Sequence, residues 1–473
     1  MTAVDQAVPR PGAATATVAA PPGRRPARRR TELGLIILAV VLTGGLYALA
    51  GAGRAGSLPA NIGPFLGVIL ALLLVGNVAL RILAPEADPV LLPLAGLLNG
   101  IGYVFIARLS SAEASAQALW STIGMAAFVV TLVVVRRARD LARYRYTWGA
   151  AGIVLLLLPL VPFLGENING ARLWIHIGSH EFQPAEIAEL VLAVFFAAAL
   201  VERAEQLSHG TRRIGRMLVV DPKYLAPVVL AWGLSLLIFL AENDLGSSFL
   251  FFAMFVGMLW VATGRGFYLT LGGGLFAGGA AFALAAIGHA RTRVQSWLHP
   301  FAHANSSGYQ IIQGLFAIAN GGLFGTGPGQ SNAAVIPYAS SDMIFAVVAE
   351  EIGMLGAVAV LTAYLLMVGT GLRIAIRCDN PFEKLLATGL SLIIGIQTFV
   401  IVAGVTRLIP LTGITLPFVS YGGSSLISSY ILLALLLRIS DTAARQGQPL
   451  RTGRTPAAYA GRVAGQASSE GVA

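Results

Sequence analysis

Charge is scarce in this chain. Only 11% of its 473 residues are Asp, Glu, Lys or Arg, less than half the quarter usual for soluble domains. With 56% hydrophobic residues, a water-soluble globule is excluded. Cysteine is nearly absent, and the lone Cys378 rules out an intramolecular disulfide framework and a cysteine-built metal cluster. No Walker sequence occurs, which excludes a P-loop ATPase. No apolar stretch lies near Met1, so no cleavable signal peptide is expected. The 55 glycines and 23 prolines fall mostly inside or beside long apolar runs, where packed helices tolerate them.

Those apolar runs are what the chain has in place of charge. A helix crosses about 30 Å of hydrocarbon with roughly 20 residues. Windows of that kind are expected at 33–51, 61–83, 89–107, 117–135, 147–165, 185–201, 225–241, 246–263, 267–289, 342–370, 386–406 and 422–438. The fold class is therefore all-α, a polytopic membrane helix bundle of about 12 transmembrane helices. Residues 1–32, rich in Ala, Pro and Arg, and 441–473 read as disordered tails. With both termini cytoplasmic, 26 of the 32 Lys and Arg face the cytoplasm, as the positive-inside bias predicts. The net charge of +10 is thus a matter of topology, and no nucleic-acid partner is inferred.

Six arginines remain outside: Arg54, Arg108, Arg172, Arg291, Arg293 and Arg407. Arg54 and Arg108 read as helix-end side chains snorkelling to the interface. The one long outer loop, 290–341, holds the densest polar content and a glycine-rich run from Gly321 to Gln330. Such glycines suit a loop folded back over an anionic substrate, or an ordinary tight-turn loop. Asp342 follows at the mouth of the next span as either a helix-capping acid or a functional one. Glu350 and Glu351 lie about two turns deeper, where a charge normally faces a polar cavity or a partner. Glu186, Glu189, Glu242 and Asp244 also lie toward the outer side. A single acid-containing cleft opening outward accounts for all of them; separate capping roles are the alternative for Asp244 and Glu186. The pairs His176/His180 and His299/His303 lack helical flanks and a third ligand, so no metal site is assigned.

Seven motifs then appear in order. They are Asn169-Gly170-Ala171-Arg172-Leu173-Trp174, Gln183-Pro184-Ala185-Glu186, Asp244-Leu245-Gly246-Ser247, Gly308 to Gln313, Gly321 to Gly327, Asp342 to Gly353, and Pro417 to Ser425. Together they resemble the SEDS family, the RodA/FtsW peptidoglycan polymerases, over about 145–440, and look most similar to the RodA type of high-G+C Gram-positive bacteria. The resemblance implies a ten-helix core preceded by two extra N-terminal helices. Residues 33–110 would hold those extra helices and the start of the core, and 111–440 the catalytic core. It also implies a processive glycosyltransferase joining lipid II into glycan strands on the outer membrane face. A class B penicillin-binding protein is the implied partner.

The family's essential aspartate falls on Asp342, and its other sensitive acids on Asp244 and Glu186. Inversion at the anomeric carbon needs one base, so Asp342 is expected to take the proton of the acceptor's sugar 4-hydroxyl. Arg172, Arg291, Arg293 and Arg407 are expected to hold the diphosphate. Trp174, Tyr309, Gln313, Gly325, Gly327 and Ser424 join them as substrate-binding positions from the matching motifs. A divalent cation, magnesium or manganese, could share the diphosphate's charge; no other cofactor is implied. The chain departs from many relatives at Glu189, where they carry lysine, and at Tyr338-Ala339-Ser340-Ser341, where they carry Glu-x-His-Thr. Two other classes of function fit the same cleft: a lipid II flippase and a non-catalytic scaffold for the transpeptidase.

Overall fold

The computed structural model describes residues 27–446 apart from 60–61, 163, 169–170, 178–179, 209–211, 215–216, 220–229, 231–232, 235–243 and 287. Its helices are α1 (Ala27–Ala55), α2 (Ile62–Leu83), α3 (Leu91–Leu109), α4 (Ser111–Val134), α5 (Arg145–Leu157), α6 (Pro184–Ser208), α7 (Leu245–Thr263), α8 (Phe267–Ala286), α9 (Gly288–Leu298), α10 (Tyr309–Gly321), α11 (Ile344–Arg377), α12 (Pro381–Val405) and α13 (Gly423–Gln446). Ten of these, all but α5, α9 and α10, are long and apolar enough to cross a membrane.

Local chemistry sets several boundaries. α4 starts where the Ser110 hydroxyl accepts from the Glu113 N–H at 3.3 Å. α12 starts where Asn380 accepts from the N–H groups of Phe382 and Glu383, with proline in the first turn. Each side chain satisfies an N–H that the helix leaves orphaned. α7 ends at Gly264, which takes the left-handed conformation with φ 67° that glycine reaches without steric cost.

The structure departs from the sequence-based expectation in four places. The window 147–165 shortens to the 13-residue α5 and a single 3-10 turn, because the chain then turns into a three-stranded antiparallel sheet, β1 (Gly165–Ile168), β2 (Ala171–Ile177) and β3 (His180–Phe182). A second hairpin, β4 (Arg212–Ile214) and β5 (Met217–Val219), follows α6. Both are small additions to a helical bundle. The window 225–241 lies outside the described residues. α1 takes in the last six residues of the stretch 1–32 read as an N-terminal tail, and α13 extends beyond residue 440. The outer loop 290–341 is not structureless, since it carries most of α9 and all of α10.

Enclosure is uneven. Burial reaches 89% of the apolar stretch of α13 and 72% of those of α6 and α12, against 22% for α2 and 17% for α8. The three enclosed helices therefore form the centre, and the apolar faces of α2 and α8 turn outward. α11 is broken at Gly353, whose φ of 68° and ψ of −173° interrupt the helix.

Candidate active site

The connection from α12 to α13, residues 406–422, ties the site together. Pro410 and Pro417 supply no N–H, and Arg407, Gly413 and Phe418 adopt φ of 60°, 81° and 65°. The segment therefore cannot continue either helix, and it threads between other elements. Ser420 donates to the Ser341 carbonyl at 2.7 Å, and the Tyr421 N–H donates to the Ser340 carbonyl at 2.8 Å. Arg293 on α9 donates to the carbonyls of Leu411 (3.3 Å) and Thr412 (2.9 Å). Gly246, in the first turn of α7, packs so closely on Ile414 that a methyl group there would overlap its side chain. The starts of α6, α7, α11 and α13 meet around this loop.

Asp342 lies two residues before α11. The helix N-cap position falls on Met343, which makes no side-chain cap, so Asp342 is not spent on capping. Its carboxylate faces Gly413, where a methyl group would stand 3.7 Å from Oδ2. Burial pushes its pKa from 3.8 up to about 6, although the Arg293 charge and a hydrogen bond from Ser341 pull it down; the Asp244 charge adds a smaller upward push. An ion in a poorly hydrated place holds its proton more tightly. The result is a half-buried carboxylate that is ionised near neutrality and still basic.

The neighbouring acids are held differently. Asp244 caps α7, accepting from the N–H groups of Gly246 (2.8 Å) and Ser247 (3.2 Å) and from the Ser247 hydroxyl (2.6 Å). Glu186, buried in the first turn of α6, lies 3.1 Å from the Thr415 hydroxyl, which is itself 2.6 Å from that of Ser425. Glu186 accepts from these hydroxyls, which are also hydrogen-bonded to each other. Glu189, one turn on, accepts from the Gln397 amide at 3.0 Å.

The other expected site residues divide. Arg293 is brought to Asp342 by charge, and Ser424 is buried beside Ser425 at the start of α13. Arg291 instead donates to the carbonyls of Leu284 and Ala285 near the end of α8. Arg407 donates to the carbonyls of Trp297 and Leu298, while the Trp297 indole donates back to the Arg407 carbonyl at 3.0 Å. Arg172 and Trp174 lie on β2, Arg172 exposed and Trp174 paired in register with Glu166. Tyr309 is exposed at the start of α10, and Gln313 is half-buried one turn later. His176 and His180 sit on adjacent strands, and no group of three metal-ligating side chains occurs among the described residues.

Gly325 and Gly327 occupy a different place from the substrate cradle suggested by their spacing. Their loop docks on the break in α11. The N–H groups of Thr326 and Gly327 donate to the carbonyls of Glu350 (2.9 Å) and Glu351 (3.1 Å), and those of Met354 and Leu355 donate back to Gly322 and Leu323. A methyl group on Gly325 would stand 2.2 Å from the Glu351 carbonyl oxygen. The glycines thus satisfy backbone groups that the break at Gly353 exposes.

Arg108 is likewise more than an interfacial anchor, because it forms a buried ion pair with Glu351 and donates to the Ser331 carbonyl. Sequence reasoning missed Gly413, Thr415, Gln397 and Ser420. The signal for Gly413 and Thr415 was a proline-bracketed segment directly after an apolar span, Ser420 lay within the Pro417 to Ser425 motif, and Gln397 was a lone amide inside an apolar span.

The chain matches the model of the FtsW/RodA/SpoVE family, described as cell cycle proteins, over residues 89–445. It is 41% identical to the peptidoglycan glycosyltransferase RodA of Mycobacterium tuberculosis, over 90% of this chain and 93% of that protein. It is 34% identical to a probable peptidoglycan glycosyltransferase FtsW of a Geobacter species, over 60% of this chain and 76% of the relative. Among solved structures, it resembles the rod shape determining protein RodA of Thermus thermophilus with a TM-score of 0.52 and 27% identity, covering 75% of this chain and 96% of that one. A chain from a peptidoglycan synthase complex, described as coordinating polymerization and crosslinking, gives a TM-score of 0.53 at 27% identity, covering 80% and 98%.

Proposed function

The chain belongs to the FtsW/RodA/SpoVE family and is a peptidoglycan glycosyltransferase, and from that premise we propose that it polymerises lipid II with Asp342 as general base. The observation that carries the assignment is the state of that carboxylate. It is half-buried, free of capping duty, raised to about 6 by burial, and within reach of the Arg293 charge. A base is most useful when its pKa lies near the working pH, since it is then ionised yet still draws a proton strongly.

The chemistry follows from the bonds exchanged. The acceptor's sugar 4-oxygen attacks the anomeric carbon of the donor, whose bond to the diphosphate breaks. Asp342 takes the hydroxyl proton, and the diphosphate departs with the bonding electrons. One displacement inverts the carbon, and diphosphate is a good enough leaving group to need no second carboxylate as acid. Arg293 supplies positive charge close to the reacting centre, where it can offset the charge that develops on the departing diphosphate. Glu186, held by Thr415, and Asp244, capping α7, fix the helix starts that surround the base.

Lipid II carries its reacting diphosphate at the membrane interface, and Asp342 lies just outside the start of a spanning helix. The charge distribution along the sequence supports that end being on the outer face of the cytoplasmic membrane, with both termini inside. The likeness to a chain of a polymerising and crosslinking complex supports a class B penicillin-binding protein as partner.

The test is polymerisation of lipid II by the purified chain, with and without that transpeptidase. Glycan polymer from the parent and none from Asp342→Asn, at a melting midpoint no lower than the parent's, is expected. Polymer at parental level from Asp342→Asn would take the base away from this residue. Transport of lipid II that survives the substitution would make the protein a flippase, and growth supported by the Asn chain would make it a scaffold.

A further inference from the structure

At the end of α13 opposite Ser425, a cleft of about 620 Å³ opens between the C-terminal ends of α2, α4 and α13. Five arginines line it, Arg136, Arg137, Arg139, Arg438 and Arg445, against a single acid, Asp441. That acid is already engaged, accepting from the Glu86 N–H at 2.8 Å and pairing with Arg445 at 2.9 Å. No carboxylate lies within ion-pairing distance of Arg136 or Arg137 among the described residues.

Arg438 is the most telling member. It is only 6% exposed, donates to the carbonyl of Leu83 at 2.6 Å and to that of Leu132, and keeps a buried Nε with no partner among the described residues. Two helix C-termini supply partial negative charge to this buried guanidinium, and the Asp441 charge one turn on is shared with Arg445; burying a full charge with incomplete compensation is costly.

Beyond Thr442 and Gln446, the rest of the lining is apolar, from Ile82, Leu83, Leu132 and Val133. Ile82 and Val133 are 72% and 49% exposed, at the level where two spanning helices end. Basic pockets between helix ends at the cytoplasmic face suit the headgroups of anionic lipids. The chain's own tails are poor occupants: residues 1–26 carry Asp5 against three arginines, and 447–473 carry Glu470 against three.

We propose that this cleft binds an anionic phospholipid of the cytoplasmic leaflet. Arg438, Arg136 and Arg137 hold the phosphate, and the glycerol and upper acyl chain lie against Ile82, Leu83 and Val133. The leaflet follows from the orientation proposed above; the headgroup chemistry does not depend on it. The bound phosphate completes the hydrogen bonding of Arg438 and clamps the ends of α2, α4 and α13 together.

The test uses the full chain, delipidated in a neutral detergent and titrated with dihexanoyl phosphatidylglycerol, dihexanoyl phosphatidylcholine, inorganic phosphate and polyglutamate. Saturable binding of phosphatidylglycerol is expected, with weak or no binding of the other three. Arg136→Gln and Arg137→Gln, both at exposed positions, should each weaken it about fivefold, the loss of one arginine near a lipid headgroup, without changing the melting midpoint in phosphatidylcholine. Arg438→Gln should abolish saturation; if it fails to fold, the two exposed variants still decide. Equal affinity for the two lipids, or unchanged affinity in both exposed variants, overturns the proposal. Inorganic phosphate binding as tightly as the lipid would make this a soluble-anion site, and polyglutamate binding in place of lipid would make it a docking point for an acidic protein; either result overturns it.

Discussion

Asp342 and Glu351 flank the first segment of α11, nine residues apart, and the chain treats them in opposite ways. Glu351 is fully enclosed. It accepts from the Gly329 N–H at 2.7 Å and the Ser331 hydroxyl at 2.8 Å, and it pairs with Arg108. Asp342 is half-buried and faces a glycine, with the Arg293 charge nearby and the Asp244 charge opposing it. A carboxylate whose lone pairs are taken up by donors holds structure together. One left basic and reachable can take a proton. Both are acids at the edge of a membrane helix, and only their surroundings separate architecture from chemistry.

The largest effect that separates them is on rate. Asp342→Asn should lower lipid II polymerisation by about 10²- to 10⁴-fold, the usual worth of a positioned base. Its stability should move the other way. The native carboxyl, held at about 6 against 3.8 in a free chain, favours folding below about pH 4. That contribution is lost as pH rises through 6, so at pH 7 the ionised form is a cost to the fold. The neutral amide avoids that cost, and the variant should melt no lower than the parent at pH 7. A variant that loses activity only because it melts early would break the comparison.

Glu351→Gln should show the reverse. Removing one member of a buried ion pair leaves Arg108 uncompensated, at a cost of about 3–5 kcal/mol, seen as a lower unfolding midpoint in detergent. Replacing both members with methionine should recover much of that loss. Residual activity should track the folded fraction. If Glu351→Gln melts normally and loses turnover, the two carboxylates have exchanged roles.

Gly325→Ala probes the same architecture from the backbone side. Its φ of 85° and the Glu351 carbonyl in the path of a β-carbon predict a loss of about 1–3 kcal/mol, again with turnover following folded protein. A turnover defect larger than the folding defect would return this glycine to the substrate cradle expected from its spacing.

These contrasts show what the sequence could and could not disclose. Hydropathy located ten spanning helices, because crossing hydrocarbon leaves a long pattern, but it also marked 147–165, where the chain forms only the short α5 and turns into a sheet. The acids near the membrane stood out because charge is costly there, but only the resemblance to the SEDS family separated Asp342, Asp244 and Glu186 from Glu189, Glu350 and Glu351. The Arg108–Glu351 pair was invisible, since it joins positions 243 residues apart and no local period reports a tertiary partner. The break at Gly353 was hidden inside an apolar run, where a glycine is usually a tolerated helix residue. Without that break in view, the glycines from 321 to 329 show no backbone to serve, and their spacing leaves a loop over an anionic substrate and an ordinary tight-turn loop equally open. Arg291 and Arg407 illustrate the same limit. Residue type suggested diphosphate contacts, but the fold directs each to carbonyl oxygens at nearby chain ends.

The smallest effects give the sharpest test, because they have opposite signs. If Asp342 is the base, turnover should fall as pH drops through about 6, since only the ionised carboxylate can accept the proton. Arg293→Gln removes the positive charge that eases ionisation, so the acid limb should move toward neutral pH, on a plateau lowered by the lost stabilisation of the leaving diphosphate. Asp244→Asn removes a negative charge that opposes ionisation, while the amide can still cap α7, so the limb should move toward lower pH. Each displacement is expected to be about one unit or less, read from initial polymerisation rates between pH 5 and 8. A role for either residue in folding alone would scale the whole profile without moving its limb. Two limbs that stay in place, or move together, would mean that the titrating group is not the carboxylate lying between them.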